Sequence, residues 1–180
     1  ESRGFYRDKF VAIERDKGKF CYAICRAIGA TQVVEAGTSF GVSTLYLAAA
    51  VHDNGGGTVI ATEYEPAKAA IAAQNFREAG LSEYIELRIG DVLETLQPPL
   101  PAIDFLLLDI WAPIAGRVMA QLGPYIRPGG VVIADNIESR ASLYGELIAY
   151  LDEPANGFTT QTLPYDGGLA FAVKTETNRS

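Results

Sequence analysis

Oxygen-bearing side chains recur in this sequence where predicted strands end. Asp and Asn are also ordinary turn and helix-cap residues, so each of them taken singly has a structural explanation. In an open sheet of parallel strands, however, the carboxyl ends of the strands meet at one edge, and ligands bind there. The coincidence therefore predicts a polar cleft at that edge. The residues are Glu35, Glu63, Asp91, Asp109, Asp135 and Asn136.

Three of these residues could hold a metal ion. Asp109, Asp135 and Asn136 follow two predicted neighbouring strands and offer only hard oxygen ligands. Two carboxylates and a carboxamide leave coordination positions for water and substrate, which suits Mg²⁺ or a similar divalent ion rather than zinc. The alternative is that Asp135 and Asn136 cap the next helix while Asp109 pairs with a nearby cation. The spacing alone leaves both interpretations open.

A glycine turn between a predicted strand and helix lies in the segment VVEAGTSFGVS, residues 33–43. Gly37 and Gly41 would let backbone approach a ligand without a Cβ in the way, and the helix after them points amide hydrogens at it. Glu63 is placed to accept both hydroxyls of a ribose, and Asp91 is similarly placed for an adenine amino group or its ribose. A nucleotide-like cleft is the prediction, although such a turn also occurs for packing reasons alone.

The elements that position these residues alternate between strands and helices. The first strand is followed by four further β-α steps, and the run 103–108 is apolar throughout, which indicates a central parallel strand. Residues 6–28 read as one or two amphipathic helices with Phe10, Ile13, Phe20, Ile24 and Ile28 on one face. Predicted strands are 32–36, 58–63, 85–89, 103–108, 131–134, 158–163 and 169–174, and predicted helices after the first strand are 43–51, 66–79, 119–125 and 138–151, with a short helical piece after Asp91.

This order predicts an α/β fold, a Rossmann-like doubly wound sheet of about seven strands that is mostly parallel and closes with a C-terminal antiparallel hairpin. We expect one domain over residues 1–180, with an N-terminal helical cover (1–30) and an α/β core (31–180).

Composition narrows the classes of partner. The formal charge of −7 and the pI near 4.7 argue against a nucleic-acid binder, whose affinity would depend on a basic face. No uncharged apolar run reaches the roughly 18 residues of a membrane span, and no signal-peptide pattern is present, so a cytoplasmic protein with a small-molecule substrate is expected. Cys21 and Cys25 are predicted to pack in the core, and His52 to end a helix. The oligomeric state stays open, a homodimer included.

Five segments in this order resemble the S-adenosylmethionine-dependent class I methyltransferases of the catechol and caffeoyl-CoA O-methyltransferase type, from about Lys17 to Lys174. The resemblance implies that Glu35, Gly37 and Ser43 line the methionine side of the cofactor, that Glu63 holds the ribose, that Asp91 and Val92 lie by the adenine and that Trp111 packs against that ring. It also implies that Asp109, Asp135 and Asn136 bind a divalent ion and that Asp109 serves catalysis. The segments are VVEAGTSFGVSTLYLA, ATEYEP, IDFLLLDIW, PGGVVIADN and DGGLAFAVK.

Divalent-metal-assisted O-methylation of a small hydroxylated acceptor is the activity that this resemblance implies. A sulfonium methyl is already activated, so positioning donor and nucleophile in line supplies much of the rate. A metal ion touching the acceptor oxygen would lower its pKa. The family has a lysine resembling a general base three residues after the first metal aspartate, whereas this chain has Ala112. Deprotonation then falls to metal and water, or the acceptor is not a catechol.

Two other functions compete with methyl transfer. A nucleotide fold kept as a binding or oligomerisation module without catalysis gains support from Ala112. An NAD-dependent oxidoreductase would use a similar first strand, but would need G-x-G-x-x-G and an acid about 20 residues later, and this chain offers neither cleanly. Binding of the methionine nucleoside or of NAD would separate these functions.

Overall fold

The computed structural model describes residues 12–175, and these residues form a seven-stranded sheet flanked by helices. The strand order is β3-β2-β1-β4-β5-β7-β6, in which β1 to β5 are parallel and β7 runs antiparallel to both β5 and β6. The predicted doubly wound sheet with a closing hairpin is therefore confirmed. Strands are β1 Gln32–Ala36, β2 Thr58–Glu63, β3 Ile85–Ile89, β4 Ile103–Leu108, β5 Ile126–Asp135, β6 Phe158–Leu163 and β7 Leu169–Lys174. Helices are α1 Arg15–Ala27, α2 Val42–Asp53, α3 Pro66–Glu78, α4 Val92–Thr95, α5 Ala112–Leu122 and α6 Gly145–Asp152.

The strand order reverses between β1 and β4. After β1 the chain adds β2 and β3 on one side, then returns to place β4 and β5 on the other. The backbone N–H of Asp109 donates to the carbonyl of Ala36 at 3.0 Å, which joins the carboxyl ends of the two strands. A crevice at this switch point is where an open α/β sheet binds its ligands.

The central strand β4 is buried along its whole length, as its apolar run predicts. Because side chains alternate across a strand, Leu106 and Leu108 enter the core beneath α5 and α6, whereas Phe105 and Leu107 enter the core beneath α1 and α2. Burial on both faces fixes the register of β4. Its last residues therefore point Asp109 into the crevice from a rigid base.

Helix α1 packs closely on α2 because Gly18 has no side chain. A Cβ at Gly18 would lie 2.5 Å from the Tyr46 ring. The buried face of α1 includes Lys17, Cys21 and Cys25, three residues spaced one helical turn apart. Both thiols are free and buried, so the predicted core packing of the cysteines is confirmed. His52 lies in the last turn of α2, also as predicted.

Two predicted element starts are wrong by several residues. Helix α5 begins at Ala112 rather than at residue 119, because Pro113 stands in the first turn of the helix, where a missing N–H costs nothing. Strand β5 begins at Ile126 and includes the glycine pair that was predicted to precede it. Its pairing with β4 shifts register there, which accommodates Pro128 inside a strand.

The predicted helix over residues 138–151 is shorter than expected. Only Gly145–Asp152 is α-helical, preceded by a 3₁₀ turn at Ala141–Leu143. The reason is that the backbone N–H groups of Glu138 and Ser139 donate to the carbonyl of Gly167 in the β6–β7 turn instead of beginning a helix.

Some predictions reach beyond the described part of the chain. The amphipathic region predicted from residue 6 is described only from residue 12, and Phe10 lies outside it. Within residues 12–175, no helix is long and apolar enough to cross a membrane.

Candidate active site

A cavity of about 250 Å³ opens at the carboxyl ends of β1, β2, β4 and β5. Its walls come from the turn after β1, the end of β2, the loop after β3 and the segment that joins β4 to α5. The cavity thus collects side chains from separate segments of the sequence. Of the predicted site residues, those that line it are Gly37, Glu63, Val92, Asp109, Trp111 and Asn136.

The Glu63 carboxylate is held by backbone on both oxygens. The N–H of Ser39 donates to Oε2 at 2.7 Å, and the N–H of Glu65 donates to Oε1 at 2.9 Å. Ser39 lies in the turn after β1 and has a φ of +51°, which is uncommon for a residue other than glycine. In this turn its N–H points at the Glu63 carboxylate. Each carboxylate oxygen can accept a second hydrogen bond, so Glu63 can still receive two hydroxyls from the cavity.

The glycine turn serves two different purposes. Gly37 has a φ of +99° and lies against the end of β4, where a Cβ would stand 2.0 Å from the Asp109 carbonyl oxygen. Gly41 has a φ of +88°, and its Cβ would stand 2.4 Å from the Phe76 ring in α3. Gly37 therefore lets the turn close on the cavity, whereas Gly41 does not line the cavity and is required by helix packing.

Glu35 lies behind the cavity wall and is fully buried. Its Oε2 accepts hydrogen bonds from the Thr38 hydroxyl at 2.9 Å and from the Thr44 hydroxyl, and Ser43 contributes a further one. Oε1 is buried without a hydrogen-bond partner among residues 12–175. Burial raises the pKa of this carboxyl above its usual range, despite the three hydroxyls. Ser43 thus acts on the site through Glu35 and does not line the cavity.

Asp109 carries the most perturbed carboxyl of the cavity. Burial, followed by the charges of Asp135 and Glu35, raises its pKa to about 7. The shift reflects burial first and the two like charges second, so the charged form of Asp109 is disfavoured. A cationic ligand beside Asp109 would favour that charged form.

Asp135 is paired with a buried lysine. The Lys17 ammonium donates to Asp135 Oδ1 at 2.6 Å and lies 2.8 Å from Glu14 Oε2, and the Lys17 side chain is 1% exposed. Burial alone would lower the pKa of Lys17, but its hydrogen bonds to Asp135 and Glu14 raise it. Lys17 is therefore a permanent cation at this end of the sheet.

Asn136 follows Asp135 and lines the cavity from the end of β5. Its φ is +60°, and its N–H donates to Asp135 Oδ1 at 2.7 Å. The β6–β7 turn lies directly over it, since a Cβ at Gly167 would stand 2.6 Å from Asn136 Oδ1. The amide is thus held between β5 and the hairpin.

Two of the three predicted metal ligands, Asp109 and Asn136, line the cavity with oxygens of the kind that suit a divalent ion, whereas Asp135 does not line it. Asp109 and Asn136 both face the cavity, and the two contacts of Asp135 described above use only Oδ1. Within residues 12–175 no cluster of three or more His, Cys, Asp or Glu residues could hold a metal, so such a site would depend on the Asn136 amide. The metal assignment of these three residues stays a prediction.

Asp91 and the hairpin-turn residues Tyr165 and Asp166 do not line the cavity. Asp91 caps α4 by accepting a hydrogen bond from the N–H of Leu93 at 2.9 Å, and it borders a separate polar recess beside Arg117. Tyr165 packs its ring on Phe20 of α1, with centroids 5.7 Å apart, and Asp166 is exposed on the hairpin turn. Tyr165 therefore packs against α1 and does not line the cavity.

Sequence reasoning missed several residues of the site. Tyr144 lines the cavity and donates its hydroxyl hydrogen to the Asp135 carbonyl at 2.8 Å. Lys17 could have been noticed as a charged residue on the apolar stripe that it forms with the two cysteines. For the other cavity residues we find no signal in the sequence, because they come from the loop after β2, from the start of α3 and from segments whose boundaries were mispredicted. They include Lys68, Ile114 and Arg140.

Comparisons with known proteins identify the family. The model of a methyltransferase domain family matches residues 34–137. The chain is 34% identical over 129 residues to a catechol O-methyltransferase of Mycobacterium tuberculosis, covering 71% of this chain and 57% of that protein. It is 28% identical over 131 residues to a catechol O-methyltransferase of Niastella koreensis, covering 71% of this chain and 58% of that protein. The chain thus spans less than three fifths of the length of these curated relatives.

Solved structures of methyltransferases have the same fold as this chain. An O-methyltransferase from Bacillus cereus in complex with SAH superposes with a TM-score of 0.80 at 27% identity, covering 91% of this chain and 83% of that one. Cofactor-bound Rv0187 from MTB superposes with a TM-score of 0.83 at 25% identity, covering 93% and 84%. The sheet, the switch-point cavity and the family match agree, and this chain belongs to the methyltransferase domain family.

Proposed function

We propose that this chain is an S-adenosylmethionine-dependent O-methyltransferase that acts on a small hydroxylated acceptor. The observation that carries the proposal is Glu63, a carboxylate fixed by two backbone N–H groups in a cavity at the switch point of the sheet. A carboxylate held in this way can accept both hydroxyls of a ribose without reorganising. The methyl donor and the oxygen acceptor are proposed from the relatives, two catechol O-methyltransferases and an O-methyltransferase in complex with SAH.

The cavity supports a direction for the cofactor. With the ribose on Glu63, the adenine extends toward Val92 and Trp111, which offer apolar and aromatic surface. The methionine part extends toward Gly37 and the end of β4. There the sulfonium meets the negative potential of Asp109 and of the buried Glu35, so the excess of carboxylates favours a cationic donor over its neutral product.

Methyl transfer needs the acceptor oxygen in line with the sulfonium methyl. The protein contributes chiefly by holding both partners in a cavity where little water remains, because the methyl group is already activated. Asp109 and Asn136, with Asp135, would hold a divalent ion, which when bound would fix the acceptor oxygen and favour its deprotonation. Ile114 and Tyr144 line the cavity beside these residues and would contact the acceptor.

Ala112 stands where the resembled family has a lysine, so this chain has no lysine at that position to accept the acceptor's proton. Ala112 is the first residue of α5, is buried and lines the cavity, so no lysine stands where the related enzymes have one. An acceptor that loses its proton readily, such as an acidic phenol, would suit this site. The alternative function, a binding module without catalysis, rests on the same residue. Measured methyl transfer would exclude it.

Calorimetry with S-adenosylhomocysteine tests the proposal directly. We expect the native chain to bind this product, and we expect Glu63→Ala to weaken binding on the order of 100-fold, since two hydrogen bonds to a charged group are lost. Glu83→Ala removes an exposed carboxylate elsewhere on the surface and serves as the control, with unchanged affinity. NAD binding in place of the methionine nucleoside would contradict the proposal. A methyl-transfer screen of phenolic acceptors then identifies the substrate class.

A further inference from the structure

We propose that Lys17 is a built-in counter-cation of Asp135 that keeps divalent-ion binding at Asp109, Asp135 and Asn136 weak. The ion would then occupy the site appreciably only when other ligands, such as cofactor and acceptor, add to its binding. This inference rests on the proposed function in so far as the ion serves methyl transfer. Its central measurement, ion affinity of the free protein, does not depend on that function.

The lysine is built into the site by the packing of α1. Gly18 allows α1 to lie against the Tyr46 ring, and this approach carries the preceding residue, Lys17, to the end of β5. The ammonium reaches Asp135 at 2.6 Å, and both side chains are nearly inaccessible, at 1% and 4% exposure. A buried lysine with a fixed partner cannot turn away into solvent when an ion approaches.

Asp135 is left with one oxygen for an ion. The Lys17 ammonium and the Asn136 N–H both donate to Oδ1, so a metal would be bound through Oδ2 alone. The ammonium on the other oxygen of the same carboxylate repels a divalent charge at a separation of a few ångströms. At such distances in a partly buried site, the repulsion is larger than the orienting benefit of one hydrogen bond.

The surrounding charges do not cancel this effect. Glu14 contacts the Lys17 ammonium at 2.8 Å, but its side chain is 54% exposed and therefore screened by water. Asp109, which lines the cavity, and the buried Glu35 attract the ion. The ion affinity is thus set by the carboxylates of Asp109, Asp135 and Glu35 and by the Asn136 amide, which act against one buried ammonium. Removal of the ammonium should strengthen it.

Mn²⁺ binding measured by calorimetry and by the loss of the free-ion electron paramagnetic resonance signal tests the inference. We expect Lys17→Met to bind Mn²⁺ about tenfold or more tightly than the native chain, because a unit charge beside the ion is removed. Lys19→Met removes the same charge from an exposed position on the same helix, and Lys17→Arg keeps the charge in place. Both should bind Mn²⁺ as the native chain does.

Equal or weaker Mn²⁺ binding by Lys17→Met would overturn the inference and make Lys17 a residue that only orients the ligand. If Lys17→Met does not fold, Lys17→Gln, which keeps a hydrogen-bond donor for Asp135, replaces it with the same expectation. If neither variant folds alone, the inference requires that Mn²⁺ restores the fold, and failure of that rescue contradicts it. If the native chain does not bind S-adenosylhomocysteine, the proposed function is refuted. That result is distinguishable from unchanged Mn²⁺ binding by Lys17→Met, which refutes only the role of Lys17.

Discussion

The two edges of the sheet treat their buried acids in opposite ways. At the amino edge, Asp104 at the start of β4 accepts hydrogen bonds from the N–H groups of Thr31 and Gln32, both at 2.8 Å, and from the Arg127 guanidinium. At the carboxyl edge, one oxygen of Glu35 is buried with no partner within residues 12–175. As a result the pKa of Asp104 is lowered, whereas the pKa of Glu35 is raised.

The comparison separates stability from function. Asp104 joins three segments of chain, and its hydrogen bonds and ion pair outweigh the cost of its burial. Glu35 and Asp109 have raised pKa values, so their charged forms are unfavourable in the folded chain without a ligand. Natural proteins tolerate such unfavourable groups where a ligand later stabilises them. We infer that the amino edge holds the sheet together, whereas the carboxyl edge is arranged for a cationic ligand.

Replacement of Asp104 should have the largest effect on stability. We expect Asp104→Ala to lower the free energy of unfolding by about 3 kcal/mol, since Arg127 and two backbone N–H groups lose their acceptor. Asp152→Ala, an exposed acid at the end of α6, should have little effect. Urea denaturation measures both. S-adenosylhomocysteine affinity of folded Asp104→Ala should match that of the native chain, and a parallel loss of affinity would show that the two edges are not independent.

The contribution of Asp104 to stability should also depend on pH. Because the pKa of Asp104 is lowered in the folded state, its contribution to stability is present above the ordinary carboxyl pKa of about 4 and is lost as pH falls through the folded value. The native chain should therefore lose more stability than Asp104→Asn between neutral pH and about pH 3. Equal losses in the two proteins would mean that this carboxyl is not perturbed.

Replacement of Glu35 should act in the opposite direction. A raised pKa means that the charged form is disfavoured in the folded state, so stability is lost as pH rises from the ordinary carboxyl pKa toward the folded one. We expect Glu35→Gln to raise the free energy of unfolding at pH 7 by on the order of 1 kcal/mol. Cofactor affinity should fall about tenfold as the negative potential weakens. A variant that is less stable at neutral pH would contradict this assignment.

Replacement of Asp91 should have the smallest effect. Asn is as good a helix cap as Asp, so Asp91→Asn should keep α4 intact, and S-adenosylhomocysteine affinity should change less than about threefold. A loss comparable to that of Glu63→Ala would instead place Asp91 on the nucleoside, as the sequence resemblance implied. Calorimetry on the two variants side by side decides between these outcomes.

The sequence predicted most of the strands well because strong local signals bound them. Strands β2, β3, β4, β6 and β7 lie where glycine, proline and acidic residues interrupt apolar runs, and their observed bounds equal the predicted ones. The start of α5 was predicted at residue 119, whereas the helix begins at Ala112 with Pro113 in its first turn, where proline is tolerated. Local patterns alone could not show that the hairpin turn would take the N–H groups of Glu138 and Ser139.

The candidate site was predictable only in part. Glu63, Asp109 and Asn136 meet in one cavity because strand ends of a parallel sheet must meet, which is a rule of topology. No such rule predicts the contact between Lys17 and Asp135, because the two residues are 118 positions apart and their contact depends on how α1 packs. Gly41 was assigned to ligand approach, but only three-dimensional packing reveals the Phe76 ring beneath it.

A crystal structure of the chain with S-adenosylhomocysteine is the most direct test of the central claim, that the carboxyl edge binds a sulfonium nucleoside. We predict both ribose hydroxyls within hydrogen-bonding distance of the Glu63 carboxylate, the adenine between Val92 and Trp111, and the sulfur near Gly37 and Asp109. A nucleoside bound away from Glu63, or bound at the amino edge, would contradict the account.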